Sequence, residues 1–237
     1  MNSKKTKLAL FDIDGTIFRS SLLIQINNAL IKEGIFPQQA AREIEPDHQA
    51  WFHRQGTYEA YISKAVLVHI RYIKGAKKQV VSRIAKKIIT AQKNRTYIYT
   101  RDLMRKLKKE HYHLIALSGS PFYIASAFAK AMKFNDVFGS TFEVINGIFT
   151  GKLTTVLEQE KKVDQLKLFL DKKNIIPDFK HSIAVGDTEG DIPMLSLVGN
   201  PVAFNPNRKL MLYARSKKWK IIVERKDVIY TLKDFKI

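Results

Sequence analysis

Asp12 and Asp14 stand one residue apart in the run Asp-Ile-Asp-Gly-Thr at 12–16. Two carboxylates this close repel each other, and a pKa rises unless a cation sits between them. The pair therefore suits a hard divalent ion held by oxygen ligands. It also offers a nucleophile and an acid/base group in one loop. Gly15 lets the backbone turn, and Thr16 supplies a hydroxyl. Taken alone, the pentapeptide reads equally well as a polar turn. Three more clusters could join it: Ser118-Gly119-Ser120-Pro121, the pair Lys161-Lys162, and Gly186-Asp187-Thr188-Glu189-Gly190-Asp191. Singly, each is an ordinary turn, helix cap or solvated lysine pair.

The elements around them make the pattern specific. An apolar run, Leu8 to Phe11, reads as a buried strand that ends in Asp12. Along a strand, Asp12 and Asp14 lie on one side and Ile13 points away. Tyr112 to Leu117 reads as a second strand ending in Ser118, and Ser182 to Val185 as a third ending in Gly186-Asp187. In α/β sheets, chemistry gathers at the carboxyl ends of strands. Lys161-Lys162 opens a helix with Val163, Leu166, Phe169 and Leu170 inward. Val137 to Thr150 alternates and carries Asn146-Gly147, a strong hairpin signal. Further on, the pattern predicts helices at 122–132, 191–198 and 208–216, with strands at 202–204 and 221–223. The expectation is an α/β core with a mainly parallel, Rossmann-like sheet flanked by helices. The segment from 20 to 105 reads as all-helical. Val80, Val81, Ile84, Ala85, Ile88 and Ile89 make the clearest amphipathic stripe within it. The predicted division is a core of 1–19 and 106–237, with 20–105 inserted as a second domain.

Composition excludes several classes of function. Of 237 residues, 45% are hydrophobic, so a packed core is expected and wholesale disorder is not. The absence of cysteine removes disulfides, thiolate metal sites and cysteine nucleophiles. Neither a signal-peptide pattern nor an apolar run long enough to span a bilayer is present, which predicts a cytoplasmic protein. The formal net charge is +19, and 64–109 holds fifteen Lys or Arg against one acid, Asp102. Such a field attracts anions. With no reading motif and few aromatics, specific nucleic-acid binding is not expected, and association with anionic surfaces is expected to be weak.

The order of these clusters resembles the haloacid-dehalogenase superfamily of aspartate-nucleophile phosphatases, closest to its phosphoserine-phosphatase-like branch. The family's Asp-x-Asp-x-Thr falls on Asp12, Asp14 and Thr16, its strand-end Ser or Thr on Ser118, its Lys on Lys162, and its Gly-Asp-x-x-x-Asp on Gly186, Asp187 and Asp191. Ile192-Pro193-Met194-Leu195, Asn205 to Leu210, Trp219 and the 146–151 hairpin extend the likeness. The resemblance implies a helical cap, a Mg2+ cofactor and a small phosphorylated substrate. It implies Asp12 as nucleophile and Asp14 as acid/base. Asp12, Asp14 through its carbonyl, Asp187 and Asp191 would hold the metal. Thr16, Ser118, Gly119 and Lys162 would contact phosphate, with Lys161 competing for the last role. One departure stands out: phosphoserine phosphatases carry a Glu nine residues after the nucleophile, where this chain has Ser21. A phosphomonoester other than phosphoserine is therefore expected. Phosphotransfer, an anionic lipid-linked substrate, and a basic binding protein with weak catalysis stay open as alternatives.

Overall fold

A computed structural model describes residues 5–155 and 161–232. Its centre is β1 (Leu8–Phe11), and around it lie β2 (His113–Pro121), β3 (Asp136–Ile145), β4 (Ile148–Thr155), β5 (Ile183–Gly186), β6 (Asn200–Phe204), β7 (Lys220–Arg225) and β8 (Val228–Leu232). They form one sheet in the order β4-β3-β2-β1-β5-β6-β7-β8. The six strands from β3 to β7 are parallel, and the hairpin partners β4 and β8 close the edges antiparallel. Both faces are covered, as a parallel sheet requires. Leu8 and Leu10 face one apolar cluster, while Ala9 and Phe11 face the other. The chain leaves β1 toward β2 on one side and returns to β5 on the other. A crevice therefore opens at the carboxyl end of β1.

Four helices follow β1: α1 (Leu22–Lys32), α2 (Gln38–Phe52), α3 (Tyr58–Ile73) and α4 (Lys78–Gln92). Each hides the stripe its spacing predicts, clearest in α4, which buries Val81, Ile84, Ala85, Ile88 and Ile89. Thr57 caps α3 by accepting from the Ala60 N–H, and Gly34 ends the turn after α1 at φ +72°. α5 (Ile98–Lys109) has different company. The Ile98 and Tyr99 N–H groups donate to the Glu224 carboxylate at 3.0 and 2.8 Å, and the Tyr99 ring stacks on Phe204. The expected division at 105 falls inside α5, whose first turn these contacts tie to the sheet.

The remaining helices are α6 (Phe122–Met132), α7 (Lys161–Lys172), α8 (Ile192–Ser196) and α9 (Arg208–Ser216). The chain differs from the sequence reading in three places. β2 does not stop at Leu117: its register with β3 shifts, and Pro121 pairs with Ser140. Gly139 permits the close passage, since a Cβ there would lie 2.8 Å from the Phe122 Cα. β8 carries a strand signal that the periodicity did not reveal, because its face is largely exposed. The helix expected over 191–198 is cut to five residues. The hairpin at Asn146-Gly147 forms as expected, with both residues at positive φ. Among the described residues, no helix is long and apolar enough to cross a membrane.

Candidate active site

The crevice at β1 collects the predicted residues from four places in the chain. Asp12 leaves the end of β1 with its N–H bonded to the Val185 carbonyl of β5 at 3.0 Å. This bond holds the Asp12 backbone against the strand that delivers Asp187. The Asp187 carboxylate accepts from the Thr16 hydroxyl at 3.1 Å. Asp191 turns back on the same loop, where its Oδ2 accepts from the Asp187 and Thr188 N–H groups at 3.1 and 3.2 Å. Two glycines allow this crowding. A Cβ on Gly15, which sits at φ +81°, would lie 2.1 Å from the Asp187 Oδ2, and one on Gly186 would lie 2.4 Å from the Asp191 Cβ.

Oxygens of Asp12, Asp187 and Asp191 lie within 4.8 Å of one another. Lys162 reaches this group from α7, with its Nζ 3.0 Å from the Asp191 Oδ1 and 3.4 Å from the Asp12 Oδ1. Burial alone would lower the Lys162 ammonium, but Asp191 and Asp12 outweigh it and hold it above the ordinary lysine range. Burial pushes the Asp12 carboxyl well up, and the charge of Asp191 adds to it. Burial and Asp191 raise Asp187 in the same way. One lysine does not neutralise three carboxylates. The set has the hard-oxygen chemistry and spacing that a divalent cation requires, so the residues fit Mg2+. The side chain of Lys161 lies outside the described residues.

Asp14 stands apart from that triad. Its Oδ2 accepts from the hydroxyls of Ser118 and Ser120 at 2.7 and 2.9 Å, and its Oδ1 from the Leu22 N–H at the start of α1. Burial raises its carboxyl, and these three donors pull it part of the way back. The two acids of the motif thus have different surroundings: Asp12 faces a cation and other carboxylates, Asp14 a ring of neutral donors.

Of the residues expected to contact phosphate, Lys162 points into the triad and Gly119 is exposed at the end of β2. Ser118 is buried and turned to Asp14, and Thr16 is turned to Asp187. Two features were not drawn from the sequence. Ser120 stood inside the quoted Ser-Gly-Ser-Pro run, yet no rule of spacing marked it as a second donor to Asp14. Lys209 lies in the Asn205 to Leu210 stretch and pairs with Glu189 at 2.7 Å, beside the Asp187 loop. Ser21, where the branch places Glu, is a buried helix cap that accepts from the Ile24 N–H.

The doubly covered, mainly parallel sheet with acidic loops at its switch point is a Rossmann-like α/β core whose polar cluster lies where such sheets bind ligands. The model of the haloacid dehalogenase-like hydrolase family matches residues 9–196, and the chain belongs to that family. A phosphoserine phosphatase of Mycobacterium tuberculosis is 29% identical over 123 residues, covering 52% of this chain and 39% of the relative. The match thus spans about two fifths of that relative's length. A histidinol-phosphatase of Neisseria meningitidis is 21% identical over 224 residues, covering 91% of this chain and 97% of the relative. A solved structure described as a phospho-aspartyl intermediate analogue of phosphoserine phosphatase has the same fold. Its TM-score is 0.61, with 20% identity over 94% of this chain and 96% of that one.

Proposed function

We propose that this chain is a Mg2+-dependent phosphomonoester hydrolase that works through an aspartyl-phosphate on Asp12. The observation that carries this reading is the contrast between the two motif acids. Asp12 is held by Lys162 among the carboxylates of Asp187 and Asp191, while Asp14 rests on Ser118, Ser120 and the Leu22 N–H. A nucleophile works as the anion, which the Lys162 ammonium favours at Asp12, and an acid/base group must give and take a proton, which the neutral donors around Asp14 leave it free to do. The relatives named as phosphatases, and the phospho-aspartyl analogue of a structural neighbour, support the same chemistry.

In the first step an Asp12 oxygen attacks phosphorus, the bond to the leaving oxygen breaks, and Asp14 gives that oxygen its proton. In the second step Asp14 takes a proton from water, the water oxygen attacks phosphorus, and the acyl-phosphate bond breaks to free Asp12. Lys162 and the Gly119 N–H would hold the equatorial phosphoryl oxygens, where charge sits in the transition state. The Thr16 hydroxyl donates to the Asp187 carboxylate and would steady it beside the phosphate. Asp12, Asp187 and Asp191, with the Asp14 carbonyl, would hold Mg2+, which when bound offsets the repulsion between an anionic nucleophile and a phosphate dianion. The block α1–α4 serves as the cap, with α5 on the core side of the boundary.

The substrate is a small phosphorylated metabolite other than phosphoserine. Ser21 cannot pair with an ammonium, and its hydroxyl is spent on the helix end. Glu43 is engaged by Arg71 and by Tyr72, each at 2.7 Å. The test is turnover of a panel of phosphomonoesters with Mg2+, with EDTA, and with EDTA followed by excess Mg2+. Activity that disappears with EDTA and returns with Mg2+ is expected. Full activity without a divalent ion would overturn the reading.

A further inference from the structure

Resting on the reading of the strand-end cluster as a phosphomonoesterase, we propose that an aromatic shelf on the cap, led by Trp51 and Tyr58, is the leaving-group subsite and selects alcohols that carry a planar ring. The shelf is built where α2 ends and α3 begins. Trp51 stacks on Tyr61 with the rings 5.7 Å apart and 14° from parallel, and Tyr58 lies 5.2 Å from Trp51. His48 closes the back at 5.0 Å from Tyr61. Tyr61 is buried beneath, but Trp51 and Tyr58 keep 38% and 41% of their surfaces exposed. Packing between two helices accounts for Tyr61. It does not account for two large rings left open on one side.

The shelf faces the chemistry. Glu59, next to Tyr58, lies 3.8 Å from the Lys209 ammonium, and that ammonium is 2.7 Å from Glu189, two residues past Asp187. The Asn207 N–H, two residues before Lys209, donates to the Asp187 carbonyl at 2.9 Å. These contacts set the first turn of α3 opposite the loop of the acidic triad. Partial burial and the charges of Asp14, Asp187 and Asp12 all raise the Tyr58 hydroxyl, as expected for a phenol turned toward that cluster. It stays neutral and offers its ring and a hydrogen-bonding hydroxyl, but no charge.

A cationic leaving group fits less well. Of the nearby carboxylates, Glu59 pairs with Lys209, and Glu45 is held by Gln49 and His48. Ser21 carries no charge. A neutral ring stacked on Trp51 uses what the shelf has to offer.

The test compares 2-phenylethyl phosphate with n-butyl phosphate on the full chain with Mg2+. Both alcohols leave with similar acidity, so the chemical step is matched and the ring is the variable. The phenylethyl ester should be preferred ~3- to 10-fold in kcat/KM, mostly through KM, the range expected of one good ring contact. Trp51→Ala and Tyr58→Ala should each pull that ratio toward one, and Trp51→Phe should keep most of it. A ratio near one in the unmodified chain, or a ratio that neither Ala variant moves, would overturn the shelf. A second readout does not depend on turnover. 2-Phenylethylphosphonate should quench tryptophan fluorescence, n-butylphosphonate should not, and Trp51→Phe should remove the quench, which excludes Trp219. If neither ester is hydrolysed but the quench is seen, the hydrolase reading fails and the shelf stands. Hydrolysis with no quench and no preference is the reverse case.

Discussion

At the strand ends, Asp12, Asp191, Ser118, Ser120 and Lys162 are buried, and each is bonded to another member of the site. Across the crevice, α2 and α3 present Trp51, Phe52 and Tyr58 with large exposed faces and few polar ties. The two regions obey different physics. A buried charge is tolerated only where its partners are fixed, so the strand-end groups cannot drift without large cost. An exposed ring can change at little cost to stability, so on the proposed reading α2 and α3 could vary with the leaving alcohol while the strand-end groups stay fixed. The basic surface of the cap is a third environment. Lys86 and Lys87 are solvent-facing, and Lys87 pairs with Glu33 at 3.0 Å, an exposed, solvent-screened contact that adds little to stability.

This contrast breaks most sharply at the nucleophile. Asp12→Asn should lower turnover by about four orders of magnitude or more, with the fold intact by circular dichroism, since an amide oxygen is nearly isosteric but a poor nucleophile. Lys162→Ala should cost ~10²–10³ in kcat, the usual loss for one site donor. If Lys161→Ala were the damaging change instead, the helix register of the phosphate contact would be wrong. Gly15→Ala forces a Cβ onto the Asp187 carboxylate and should weaken Mg2+ binding ~10- to 100-fold by titration calorimetry. An unchanged affinity would remove Asp187 from the metal set.

Away from the site, His69 gives a stability test. It is buried between the Asn27 side chain and the Tyr123 hydroxyl, and burial lowers its pKa from 6.5 to about 3. Between those values the unfolded chain binds a proton that the folded chain refuses. Stability should therefore fall as pH drops below about 6.5, by at most about 1.4 kcal/mol per pH unit, and level off near pH 3. Denaturant midpoints from pH 7 to 4 check the slope, and a His69 ring signal that titrates near 6 by NMR would contradict it. The smallest effect is expected on the basic face. Lys77 and Lys78 line a cavity against the Asn146-Gly147 hairpin, which joins edge strand β4 to β3 rather than bordering the crevice. Reversing Lys77, Lys78, Lys86 and Lys87 to Glu should change KM by about twofold or less at 0.15 M salt, where screening is strong. A large rise in KM would give that charge a role in recognition.

The strand ends and their polar residues were legible in the sequence because local signals carry them. Asp12 and Asp14 sit where an apolar run ends, and Asp187 follows another. The helix stripes of α1 and α4 and the Asn146-Gly147 hairpin are equally local. What was not legible depends on tertiary pairing. β2 runs on through Ser118 to Pro121 because β3 is there to receive it, and the turn-like residues give no hint of that. Ser120 becomes a donor to Asp14 only in that extended conformation. The α5 boundary depends on Glu224, more than a hundred residues away in sequence, and the aromatic shelf depends on how α2 meets α3.

The most direct test of the central proposal is to trap the intermediate. The protein with Mg2+ and a turned-over phosphomonoester is quenched in acid, reduced with borohydride and digested, and the peptide spanning 8–19 is sequenced by mass spectrometry. An aspartyl-phosphate on Asp12 is reduced to homoserine, so homoserine at position 12, absent without substrate and absent in Asp12→Asn, is the predicted result. Homoserine at Asp14 or Asp187, or label on a histidine or serine instead, would contradict the assignment of Asp12 as the nucleophile.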